Sequence, residues 1–181
     1  MDPGIAQQLD VVASMAIAML LGGLIGFERE LKRRPAGFRT HMLVAGASAL
    51  LVGVGRLTVE AQAGSPASGI MQVDPLRLVE AVIAGVAFIG AGTIFGESRR
   101  GGETISGITT AASLLTVAVI GVAAGLDYYL VAGTATALSL FVLVALSWWE
   151  KRKGLQEAAK DPQAAVSQAP SAEDPARVRR R

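Results

Sequence analysis

TISGITTAASLLTVAVIGVAAGLDYYLVAGTATALSLFVLVALSWW, residues 104–149, holds one charged residue, Asp127, with charge-free runs of 23 and 22 residues on either side. A bilayer has a hydrocarbon core about 30 Å thick, and a helix rising about 1.5 Å per residue crosses it in roughly 20 residues. Both runs are long enough to cross, and the Asp127 neighbourhood makes the turn between them. Three earlier charge-free runs, 11–27, 40–55 and 81–96, hold 17, 16 and 16 residues and need only modest flanks to reach span length. The expected fold is therefore all-α, a polytopic transmembrane bundle with five spans at about 9–27, 36–55, 77–96, 104–125 and 128–149. Residues 1–150 form its single domain. Residues 151–181, rich in Ala, Gln and Pro and ending RVRRR, have no periodic apolar face and read as a disordered tail.

Composition agrees. Of the 181 residues 51% are apolar and 18% charged, too few polar groups to cover the outside of a water-soluble bundle built from five such helices. Residues 1–10 carry Asp2 and Asp10 and no Lys or Arg, the reverse of a signal peptide's basic start, so the first span is expected to stay in the chain. The absence of cysteine excludes disulfides, thiol catalysis and Cys-based metal sites.

Basic residues set the expected orientation. Of 17 Lys and Arg, 15 fall in loop 28–39, loop 97–103 and the tail from Glu150, whereas the alternate regions hold only Arg56 and Arg77. Basic residues beside span ends stay cytoplasmic, which puts the N-terminus outside and the C-terminus inside, as an odd number of spans requires. Tyr128 and Tyr129 at the outer turn, and Trp148 and Trp149 before Lys151, Arg152 and Lys153, sit where aromatic rings meet headgroups. The outer loop, about 57–76, contains GSPASG and reads as an irregular connector.

Small residues recur at four-residue spacing: Gly22 and Gly26; Ala45, Ala49 and Gly53; Ala81 and Gly85; Gly92 and Gly96; Gly121 and Gly125. Such grooves let membrane helices approach closely, and with Gly90 they are the expected packing positions. Chance also produces such spacings among 21 glycines. Pro35 suits a first helical turn, so the second helix is expected to begin at Pro35 or Ala36, and the third near Pro75 with Arg77 and Glu80 on one face.

A polar cluster is expected at the cytoplasmic ends. Ser106, Thr109, Thr110, Ser113 and Thr116 line one side of the fourth span, and Glu28, Arg29, Arg39, Thr40, His41, Glu97 and Glu103 gather at the same level. Charges at membrane depth usually pair and often mark function, although residues at span ends also reach water by snorkelling. The working surface is expected to comprise Glu28, Arg29, Arg39, Thr40, His41, Glu97, Thr109 and Thr110, with Glu28 or Glu97 paired to Arg39. A single His without acidic or His companions at ligand spacing makes no metal site, and no cofactor is expected.

GGLIGFERELKRRPAGFRTHMLVAGASAL, Gly22 to Leu50, resembles the first signature block of the MgtC/SapB family of membrane proteins. VAFIGAGTIF, Val86 to Phe95, and SGITTAASLLTVAVIGVAAG, Ser106 to Gly125, are similar to the family's Gly-rich third span and Thr-rich fourth. Ala87 stands where the family pattern usually has Gly, and Leu115 where Trp is common. No folded domain is expected after the last span, whereas MgtC-like members carry a small ACT-like cytoplasmic domain there; this resembles a short, SapB-type form. The resemblance implies a bacterial inner-membrane protein linked to magnesium limitation, acid stress and survival inside hosts, with a regulatory role that includes restraint of the proton-driven ATP synthase.

The residues themselves weigh two functions. Mg²⁺ prefers carboxylate oxygens in octahedral geometry, yet the charge-free runs hold no acidic group; the nearest ones, Glu28, Glu80, Glu97 and Glu103, all lie at edges, and the loop after Glu28 is strongly basic. A transporter or channel for Mg²⁺ or another small ion is the alternative. A regulator that binds a membrane partner through helix grooves and the ERELKRRPAGFRTH loop needs no conducting path and conflicts with none of these features; that the partner is the ATP synthase is what the resemblance implies. That loop equally suits anionic headgroups, since each surface Lys or Arg contributes about 1 kcal/mol. Enzymatic chemistry is not expected: GETISG lacks the Gly-Lys-Ser/Thr ending of a phosphate loop, and Gly90–Gly92 follows no strand. Nucleic-acid binding is not expected either, because RVRRR is short and has no aromatic partners. The oligomeric state stays open, with a homo-oligomer among the options.

Overall fold

A computed structural model describes residues 4–62, 74–98 and 107–160. It contains five helices, α1 (Ile5–Leu31), α2 (Phe38–Gln62), α3 (Pro75–Ser98), α4 (Ile108–Gly125) and α5 (Tyr129–Lys160), and no strand among the described residues. Four stretches, Ile5–Leu31, Phe38–Ala61, Leu76–Ile94 and Ile108–Gly125, are long and apolar enough to cross a membrane. The described apolar part of α5 is the shorter Tyr129–Ala145. At about 1.5 Å per residue, α1 alone is roughly 40 Å long.

The chain divides into two compact units, one ending at Val142 and the other beginning at Leu143. In the first, α2 is the hub: it packs on α1, α3 and α4, while α1 and α3 also touch α4. The core includes Ala36, Val52, Val82, Val86, Leu114 and Ala118. Its small side chains bring the backbones together. The bulk of the apolar side chains points outward instead, with Phe88 83% and Leu130 81% exposed. In water such a surface would aggregate, whereas in lipid it is the expected outside of a bundle.

Close approach selects among the glycines. A Cβ on Gly22 would lie 2.7 Å from Ala45 Cβ, and one on Gly26 would lie 2.8 Å from Phe38 Cα, so both seat α2 against α1. Gly125 abuts the Ala49 backbone, where a Cβ would come 2.6 Å from its carbonyl oxygen, and Gly121 meets Ala45 and Ser48 in the same way, so both seat α4 on α2. Gly90 faces Ala111 at 3.2 Å. Gly85 and Gly92 face open space. The surroundings of Gly96 lie outside the described residues.

Two boundaries differ from the sequence reading. The second helix begins at Phe38 rather than at Pro35 or Ala36, because Ala36 turns inward to join the core and Gly37 supplies the first helical carbonyl, accepting from His41 N–H at 3.2 Å. The second unit is helical up to Lys160, past the expected end at 149; its KRKGLQEAAK segment is mostly strong helix formers. The connector expected at 57–76 is helical up to Gln62 and again from Pro75, and residues 63–73 lie outside the described part, as do 161–181 of the tail.

Candidate functional site

α1 ends in a Schellman motif whose left-handed position is an arginine. Arg34 N–H bonds Arg29 carbonyl at 3.0 Å, Arg33 N–H bonds Glu30 carbonyl at 2.9 Å, and Arg33 adopts φ 53°. Glycine normally fills that position because a Cβ is crowded there, at a cost of about 1 kcal/mol or more. Glu30 then braces the other side of the loop. Its Oε2 accepts from Phe38 N–H at 2.8 Å, at the positive end of α2. Gly37 fits against this carboxylate, since a Cβ there would sit 2.8 Å from the same oxygen. The Schellman turn and the Glu30 brace thus fix how α1 and α2 meet.

Under this loop lies a buried polar network. Arg29, 3% exposed, donates from Nη2 to Thr110 Oγ1 at 3.0 Å, tying α1 to α4. His41 is fully buried, with Nδ1 2.9 Å from Gly37 carbonyl and Nε2 3.1 Å from Ser113 Oγ. The carbonyl only accepts, so Nδ1 carries a hydrogen. Ser113 in turn donates to Thr110 carbonyl at 2.8 Å. Glu28, 8% exposed, pairs with Lys32 one turn on. Three helices therefore meet at one end through four side chains that carry or share protons.

This cluster corrects the Glu28 alternative of the expected pairing, while the Glu97 alternative lies outside the described residues. Glu28 takes Lys32, its neighbour at i+4, rather than Arg39, because two side chains on one helix face need no tertiary alignment. Arg39 is exposed and enters no ion pair among the described residues. Thr109 is exposed and Thr40 half-buried, and neither side chain joins the network, which runs instead through Thr110 and Ser113. Thr116 bonds back to Ala112 carbonyl at 2.9 Å. The Glu97 side chain, Glu103 and Ser106 lie outside the described residues. Among those described, no group of three His, Asp or Glu is placed to hold a metal ion.

A second polar cluster, not anticipated from the sequence, sits at the opposite end of α1. Asp127 also occupies a left-handed Schellman position, φ 63°, with Tyr128 N–H bonded to Ala123 carbonyl at 2.9 Å and Asp127 N–H to Ala124 carbonyl at 3.0 Å. Its Oδ1 accepts from Tyr129 Oη at 2.8 Å and from Ser14 Oγ at 3.2 Å, and its Oδ2 pairs with Arg56. The Asp127 carboxylate thus joins α1, α2 and the start of α5. Tyr129 is an interhelical hydrogen-bonding group as well as a ring beside a turn.

The fold and the network together define a multi-span helical membrane protein with a buried polar cluster at one end. The sequence model of the MgtC family matches residues 15–152, and the chain belongs to that family. It is 38% identical to protein SapB of Bacillus subtilis over 80% of this chain and 59% of SapB. It is 38% identical to protein MgtC of Brucella abortus over 72% of this chain and 48% of that protein, and 37% identical to protein SrpB of Synechococcus elongatus over 71% and 70%. The chain thus spans about half to three-fifths of SapB and of the Brucella protein, both of which extend beyond the shared stretch. No solved structure matches it.

Proposed function

We propose that this chain is a non-enzymatic regulator in the bacterial inner membrane, acting in magnesium or acid stress or in energy homeostasis by binding a membrane partner. In this reading α5 is the fifth crossing, the N-terminus is outside and the polar cluster faces the cytoplasm. The charge-free run to Trp149 and the 15 of 17 basic residues on alternate loops support that arrangement.

One observation carries the proposal: among the described residues, the two acidic side chains at the polar end, Glu28 and Glu30, each contact a group of the protein itself. Glu28 is neutralised by Lys32 beside Arg29, and Glu30 is held by Phe38 N–H. A cation pathway needs carboxylates free to replace water around the ion, and a salt-bridged Glu28 beside a basic loop suits recognition better than cation passage. The partner, with the proton-driven ATP synthase as the family's suggestion, would meet the α1–α2 loop above this face.

Co-purification in mild detergent tests the reading, with Arg39→Ala as the surface variant because Arg29 is buried. Wild type should capture a membrane partner that Arg39→Ala captures less; an identical set of bound proteins counts against it. Saturable Mg²⁺ uptake into liposomes holding the pure protein would overturn it in favour of transport.

A further inference from the structure

We propose that the α1–α2 loop and the first turn of α2 form a binding site for the headgroup of an anionic phospholipid, held by Arg33, Arg34 and Arg39. The other cations at the ends of these helices are engaged within the chain: Arg29 with Thr110, Lys32 with Glu28, Arg56 with Asp127. These three are exposed, lie within seven residues of one another and make no ion pair among the described residues. The loop joins two span-length helices, Ile5–Leu31 and Phe38–Ala61, so chain connectivity holds it at the depth of lipid phosphates. Exposed Leu31, Pro35 and Phe38 flank the arginines and offer the acyl boundary an apolar rim.

The loop is also built to hold its shape. Arg33 stands where the Schellman turn favours glycine, and Glu30 clamps the far side through Phe38 N–H. Guanidinium groups bind phosphate oxygens in paired fashion, and a fixed backbone reduces the ordering that binding requires. Basic residues of any cytoplasmic loop would attract anionic lipid diffusely; a braced loop whose Arg33 and Arg34, with Arg39 in the first turn of α2, make no ion pair among the described residues selects one headgroup.

The inference rests on the membrane setting but not on a protein partner, so it is tested on the purified full chain alone. The chain is presented with equal phosphatidylglycerol and phosphatidylcholine, and retained lipid is counted by native mass spectrometry. Wild type is expected to retain phosphatidylglycerol preferentially, and R33Q/R34Q/R39Q to lose that preference by on the order of tenfold or more. Arg33→Gly, whose backbone suits the turn better, removes one arginine without endangering the fold and is expected to lose about fivefold. Arg77→Gln, an exposed arginine on α3, should change it little. Equal retention of both lipids by wild type, or an unchanged preference in the triple variant, overturns the proposal. Displacement of the lipid by excess inorganic phosphate also overturns it, since the site would then recognise free phosphate.

Discussion

Arg29 on α1 donates a buried hydrogen bond of 3.0 Å to Thr110 on α4, 81 residues away in sequence. A guanidinium in an apolar bundle is costly unless its donors are met, so this bond joins the placement of one helix to that of another. With His41 and Ser113 alongside, the polar end of the bundle holds α1, α2 and α4 in a single arrangement.

Thr110→Val keeps the shape of the side chain and removes the acceptor. It is expected to destabilise the protein by about 1–2 kcal/mol, the upper range for interhelical hydrogen bonds in membranes, while Thr110→Ser stays close to wild type. Thermal unfolding in detergent reads both; a Val variant that melts with wild type would show that Arg29 does not depend on Thr110.

Gly125→Ala and Gly92→Ala should behave oppositely. The first drives a methyl into the Ala49 backbone, and overpacking of that kind costs about 1–3 kcal/mol. The second enters open space and gains helix propensity, stabilising the chain by up to about 1 kcal/mol. Equal melting temperatures for the two variants would contradict the assignment of the packing faces.

The two left-handed residues make a second contrasting pair. Arg33→Gly relieves backbone crowding and should raise stability by about 0.5–1 kcal/mol. Asp127→Gly relieves the same crowding but deletes the carboxylate that Tyr129, Ser14 and Arg56 share, so its net effect should be destabilising. Were Asp127→Gly the more stable of the two, the Asp127 cluster would have no structural role.

Tyr129→Phe isolates one bond of that cluster. Loss of the hydroxyl removes the donor to Asp127 Oδ1 and should cost about 1 kcal/mol, whereas Tyr128→Phe, whose ring neighbours the same turn, should be neutral.

Helix number and approximate extent are legible in the sequence because charge-free runs of 16 to 23 residues leave the chain few alternatives. Boundaries are less so. Pro35 signals a helix start, yet the burial of Ala36 and the Glu30 brace delay α2 to Phe38, and both depend on tertiary contact. Four-residue spacing marks Gly92 as readily as Gly125, and only the neighbouring helix distinguishes them. Arg29, His41, Thr110 and Ser113 meet at one end, but their partners do not follow from position. His41 and Ser113 are 72 residues apart, and Glu28 prefers the adjacent Lys32 to Arg39. The Asp127 cluster escapes notice because its left-handed turn carries Asp rather than the glycine that signals such turns.

The absence of native cysteine permits a direct measurement of the central claim, that the helices thread the bilayer with the α1–α2 loop and the Asp127 turn on opposite faces. Arg34→Cys and Tyr128→Cys, made singly, are treated with a membrane-impermeant maleimide in intact spheroplasts and again after permeabilisation. Tyr128→Cys should label in intact cells, and Arg34→Cys only once the membrane is opened. Labelling of both from the outside, or of neither until permeabilisation, would contradict the arrangement on which the cytoplasmic placement of the polar end, the proposed partner and the proposed lipid site all depend.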